Sequence, residues 1–202
     1  QPINRQDGMP YAGATTQYPI TSVSTAIYNG DLVNVTTGGI VKSTVTTTSA
    51  LTVANQANAT AGVFLGCQYT NTQGQTVEAQ YCPASGVTSP IAYVVVDPTA
   101  EFKVAVTTTG NTTAVTGANA TIVGTNVAQT SYAAGSTITG DSIAAIVLPG
   151  DQLGNATTLP FRVVAVVPDT AYVSGGVTLY PEVLVKVNNP QLTALTGTDY
   201  TA

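Results

Sequence analysis

The chain has 202 residues, 44% of them hydrophobic, so it is long enough to bury a core as one large or two small domains. Only 7% are charged, against roughly a quarter in an ordinary globular domain, and Thr, Asn, Ser and Gln fill the places where charge normally sits. The five Lys plus Arg and the net charge of -5 argue against a phosphate-binding surface, and the absence of His removes the commonest general base and metal ligand.

Residues 1–8 are polar and contain no apolar stretch of the kind an uncleaved signal peptide needs. The longest apolar runs, Ile143 to Leu148 and Val163 to Val167, fall far short of the roughly 20 residues that span a bilayer. Neither nucleic acid nor membrane is therefore an expected partner. Residues 1–19 show no period and contain Pro2, Gly8, Pro10, Gly13 and Pro19, so they read as an extended arm that cannot fold alone.

From Ile20 the pattern becomes short strands. Thr21, Val23, Thr25 and Ile27 alternate, and Asn29-Gly30 signals a turn. Asp31 to Val35, the glycine pair Gly38-Gly39 and Ile40 to Val45 form a strand, turn and strand built mainly from β-branched residues, whose stiff side chains suit a pleated surface. Ser49 to Ala59 has room for one helical turn. Ala61 to Tyr69 opens with a continuous apolar run and reads as a strand buried on both faces. Asn71 to Gly74 is a turn, and Gln75 to Tyr81 returns as the hairpin partner.

Ile91 to Val96 ends at Asp97-Pro98. Glu101 to Val106 alternates, with Phe102, Val104 and Val106 inward. Residues 107–142 are rich in Thr, Asn and Gly, with a weak strand over Thr121 to Val127. Ser142 to Leu148, Pro160 to Val167 and Gly176 to Val187 complete the strands, and residues 188–202 form a polar tail. Strands every ten residues or so, with no long 3.6-residue period, predict an all-β sandwich or barrel with little helix. No exact internal repeat is visible. The expected organisation is an arm over 1–19, a β-rich domain over 20–187 with a subdomain break near 84–90, and a tail over 188–202.

Cys67 and Cys82 are the only cysteines. They would form one disulfide if the segment between them is a hairpin, or pack as half-buried thiols, which the burial preference of cysteine favours. Two thiols without His make a weak zinc site. Without His, a serine nucleophile would need a lysine base. Lys42-Ser43 are adjacent in a strand and so point to opposite faces, and Lys103 and Lys186 sit in strands without a motif. Asp97 with Glu101, or Asp141 with Asp151, could supply paired carboxylates. The simpler readings are a turn at Asp97-Pro98 and a polar strand face at Glu101. Asp141, Asp151 and Asp169 lack calcium-loop spacing. The pairs Gly38-Gly39 and Gly175-Gly176 read as turns and not as phosphate cradles. Asn34, Asn58, Asn111, Asn119 and Asn155 open glycosylation sequons, at a density that chance explains in a chain so rich in Asn and Thr. No catalytic, cofactor-binding or metal-ligating residue is assigned.

Three stretches, in order, resemble the head decoration (capsid cement) proteins of tailed bacteriophages, of the kind found in podophages and cyanophages. The first is Asn29-Gly30-Asp31-Leu32-Val33 through Gly39-Ile40-Val41, followed by Gly62-Val63-Phe64-Leu65-Gly66. The second is Gly66-Cys67-Gln68-Tyr69-Thr70 with Gln80-Tyr81-Cys82-Pro83. The third is Asp97-Pro98 with Glu101-Phe102-Lys103-Val104, then Thr139-Gly140-Asp141-Ser142 and Phe161-Arg162-Val163-Val164. The likeness spans most of residues 20–190. It implies a non-enzymatic virion protein that binds the outer surface of the icosahedral head and clamps neighbouring major capsid protein subunits against packaged-DNA pressure. It also implies a homo-oligomer, with a trimer favoured and a dimer as the alternative. The arm over 1–19 would then add a strand to a capsid or sister subunit and be ordered only in the assembly. The competing reading is a host-binding domain of a phage fibre or spike or of a bacterial adhesin, for which Tyr69, Tyr81 and Tyr93 would be the aromatic cluster.

Overall fold

The computed structural model describes residues 2–5, 9–43, 60–107, 122–129, 135–147, 159–167, 170 and 181–188. Among these, every regular element is a strand apart from isolated single-turn residues, as the β-branched composition predicts. The possible helical turn at 49–59, the Gly175-Gly176 turn and the tail beyond Asn188 lie outside the described residues.

The strands are β1 (Pro2–Arg5), β2 (Thr16–Pro19), β3 (Ile27–Tyr28), β4 (Leu32–Thr36), β5 (Gly39–Lys42), β6 (Gly62–Thr70), β7 (Thr76–Ala79), β8 (Tyr81–Cys82), β9 (Thr88–Val95), β10 (Ala100–Thr107), β11 (Asn126–Gln129), β12 (Ile146–Val147), β13 (Phe161–Val166) and β14 (Glu182–Val187). The first half pairs in the order β2-β9-β6-β4-β5. Ile20, just past β2, bridges in parallel to Ile40 on β5, so this sheet closes on itself. The second half pairs β10 with β14, β14 with β13, β13 with β11, β11 with β12, and β12 in parallel back to β10, which closes a second ring. The all-β expectation thus resolves into two closed five-stranded barrels.

The two barrels are one unit used twice. In chain order their strands are β2, β4, β5, β6, β9 and β10, β11, β12, β13, β14, and the ring order is the same. In each, the first and third strands close the ring in parallel and all other pairs are antiparallel. The register agrees residue by residue. Ile20 meets Ile40 as Val106 meets Ile146, and Phe64 meets Val94 as Val163 meets Val185. Each fourth strand carries a bulge one residue later, at Phe64/Gly66 and at Val163/Ala165. The carbonyls of Pro90 and Pro181 accept from the amides of Ile20 and Val106 at 2.9 and 2.8 Å. The turn before the second strand also recurs. Gly30 (φ +95°) and Gly124 (φ +84°) both take a conformation that a Cβ disfavours, and their amides donate to Phe64 and Val163 at 2.8 and 2.9 Å.

The repeat is one of structure and not of sequence, and the strand pairing puts the division between the halves beyond the expected break near 84–90. The boundary is the Asp97-Pro98-Thr99 turn, where Asp97 Oδ1 accepts from the Thr99 amide at 2.8 Å and hydroxyl at 2.6 Å. The repeat is hidden because a barrel constrains side-chain volume and polarity, not identity. The first core is built from Ile20, Val33, Ile40, Phe64, Ala92 and Val94. The corresponding positions Val106, Val127, Ile146, Val163, Val183 and Val185 build the second. The bulk of Phe64 is matched on the next inward position of the second barrel by Phe161, which pairs with Val127 where Gly62 pairs with Val33. Gly62 is required where it stands, since a Cβ there would meet the Val95 carbonyl oxygen at 2.1 Å.

Leu32, Val63 and Val95 face away from the first core and join the second barrel's cluster, forming the junction between the barrels. The arm pairs within the chain: β2 is a ring strand of the first barrel, and β1 pairs antiparallel with β10 of the second. The Thr21–Thr25 alternation also fails as a strand. Those residues form bends, and only Ile27–Tyr28 pairs, with β8.

Candidate functional site

A buried polar cluster grows from the Asn29-Gly30-Asp31 turn. Asp31 is 1% exposed, and a buried carboxylate must be charge-paired and hydrogen-bonded. Its Oδ2 accepts from the Tyr28 amide at 2.8 Å and from Lys42 Nζ at 2.6 Å, and its Oδ1 accepts from Ser142 Oγ at 2.6 Å. Lys42 also donates to the Ala26 carbonyl at 3.3 Å and lies 5.5 Å above the Tyr28 ring, which stacks on Tyr81 at 5.6 Å.

Ser142 reaches this turn because the connection between β11 and β12 folds back onto the first barrel. The Asn29 amide donates to the Gly140 carbonyl, and the Ser142 amide to the Asn29 carbonyl, both at 2.9 Å. Beside the cluster is a cavity of about 200 Å³, walled in part by Asn29, Phe102, Lys103, Asp141, Ser142 and Phe161. The cluster is a clamp: both carboxylate oxygens have donors, the lysine is held by a carboxylate, a carbonyl and a ring face, and the serine joins one barrel to the other. Lys42 is not presented to a hydroxyl, because Asp31 stands between it and Ser142.

The sequence-selected residues fall apart in space. Ser43 is engaged through its amide with the Leu32 carbonyl at 2.8 Å. Lys103 pairs with Glu182 at 2.9 Å. Asp97 closes the turn expected of it, and Glu101 lies opposite Lys186 across β10 and β14. Asp141 is exposed, while Asp151 and Asp169 lie outside the described residues. Among the described residues no three His, Cys, Asp or Glu side chains converge as metal ligands. Asn34 is buried, so its sequon is closed to a glycan in the folded chain. Asn58, Asn111, Asn119 and Asn155 lie outside the described residues.

Tyr69 and Tyr81 are near one another, but Tyr81 stacks on Tyr28, and Tyr93 sits on β9 between Gln17 and Gly66. Burial, then the neighbouring Tyr81, Cys67 and Cys82, push the Tyr69 hydroxyl's pKa up. The sequence reading missed Tyr28, Asp31 and Ser142 as partners. The one available signal was an acidic residue placed inside an apolar strand start.

Cys67 and Cys82 are both free and buried in the first core. The hairpin between them brings them into one core cluster, where Cys67 Sγ donates to the Tyr81 carbonyl at 3.4 Å and Cys82 Sγ to the Pro83 carbonyl at 3.7 Å. No protein family matches the chain, and no curated protein or solved structure is detectably similar to it.

Proposed function

We propose that this chain is a capsid decoration protein that binds the outer surface of a tailed-phage head and clamps adjacent major capsid protein subunits. The observation that carries the reading is the closure of both rings. Their strands are hydrogen-bonded to one another, so contact with a neighbour falls to side-chain faces rich in Thr, Ser and Asn. Such faces give modest contacts with little rotamer entropy to lose. Copies tied together on a lattice, as a trimer in this reading, gain effective concentration without any one strong site.

The ordered succession of motifs from Asn29 to Val164 supports the same reading. Densitometry of purified virions tests it. A copy number approaching that of the major capsid protein is expected, and tens of copies would instead mark a fibre or spike component. Particles lacking the protein should lose infectivity at lower temperature, and equal survival would end the clamping role.

A further inference from the structure

We propose that Cys67 and Cys82 are a disulfide-forming pair, a covalent clasp between β6 and β8 that closes when the protein meets a disulfide oxidant. The chain is routed to place them together. β6 turns at Asn71, whose Oδ1 accepts from the Gln73 and Gln75 amides, and returns as β7 with Cys67 opposite Ala79. The chain then leaves β7, and β8 pairs with β3, with Cys82 opposite Ile27.

Cys67 Sγ donates to the carbonyl oxygen of Tyr81, the residue before Cys82, at 3.4 Å, and both cysteines pack in the same core cluster. The strand neighbours of Cys67 are Ala79 and Ala92, both with small side chains. The neighbouring Cys82, then burial, push the pKa of Cys67 up, while the neighbouring Cys67 lowers that of Cys82. Cys82 is therefore the attacking sulfur.

With oxidised glutathione as oxidant, the Cys82 thiolate attacks one glutathione sulfur and expels a glutathione thiolate. Cys67 then loses its proton, attacks the Cys82 sulfur of the mixed disulfide and expels the second thiolate. Two protein thiols are oxidised, and one glutathione disulfide is reduced to two thiols. The two residues are 0% and 1% exposed, so the reagent enters when the two-residue pairing of β3 with β8 opens.

The test uses the full chain in glutathione buffers of set ratio, folded and in urea, with alkylation and peptide mapping. Both thiols should disappear together, with one cross-linked peptide pair, loss of two hydrogens in mass and a higher Tm reversed by dithiothreitol. The effective concentration of the pair should be on the order of 100-fold greater folded than in urea, because the fold has already closed the loop. No rise over the urea value overturns the proposal. So does a glutathione adduct that persists on Cys82 with Cys67 free, or a cross-link between two chains. Cys67→Ser and Cys82→Ser chains should each give only the adduct.

Discussion

Asp31 shows how one side chain can decide the arrangement of a region. Its carboxylate accepts from a backbone amide, an ammonium and a hydroxyl drawn from three places in the chain. Removing one partner leaves a charge stranded out of water, whereas removing both partners leaves little to penalise. Lys42→Met is thus expected to cost about 3–5 kcal/mol in urea unfolding, and Asp31→Asn with Lys42→Met to recover much of that loss. If the double variant costs the sum of the two single ones, the pair is not coupled. Tyr69 gives a pH dependence. It holds its proton more tightly folded than unfolded, so stability is whole below its ordinary value of 10.0 and falls as pH rises past it. Chemical unfolding between pH 8 and 11 should show that fall, and Tyr69→Phe should make it shallower. Of these residues, the turn at Asn29-Gly30 was legible in the sequence. The partners of Asp31 were not, because Ser142 is 111 positions away and arrives only through the second barrel's loop.

At the scale of the element, the arm has two separable jobs. β2 closes the first ring, while β1 only adds to β10 of the second barrel. Deleting residues 1–8 should lower Tm by a few degrees, whereas deleting residues 1–19 should open the first barrel and expose its segments to protease. Equal effects of the two deletions would contradict this division. Strands with a partner close by in sequence were readable: β6 and β7 around the Asn71 turn, and β4 and β5 around Gly38. The two-residue strands β3 and β8 were not, since so short a run carries no period of its own, whereas β12 lies inside the apolar run from Ser142 to Leu148. The alternation of Thr21 to Thr25 misled for the related reason that a strand needs a partner along its length, and past the Thr21 bond to the Ile40 carbonyl these residues bend away from β5.

At the scale of the whole molecule, repeating one barrel raises the question of what ends the series. The first barrel's junction face is Leu32, Val63 and Val95, and the matching positions on the second are Asn126, Arg162 and Lys186. The face that docks is apolar, and its counterpart, where another barrel would stack, is polar and carries two of the chain's five cations. A polar outer face is what ends a stacked array. Val63→Arg, which copies the second barrel's residue into the junction, should split one cooperative unfolding transition into two in calorimetry. Conversely, Asn126→Leu with Arg162→Val and Lys186→Val should cause concentration-dependent association in sedimentation, and a chain that remains unassociated would show that the face is not a stacking surface. The sequence alone settled the all-β class, most long strands and the scarcity of charge, because alternation and β-branched composition act locally. The tertiary structure decided the closing of the rings, their repetition, the meeting of the two cysteines and the burial of Asp31. Each depends on contacts between distant segments, and a barrel core accepts any residues of suitable volume, so matching positions need not share a letter.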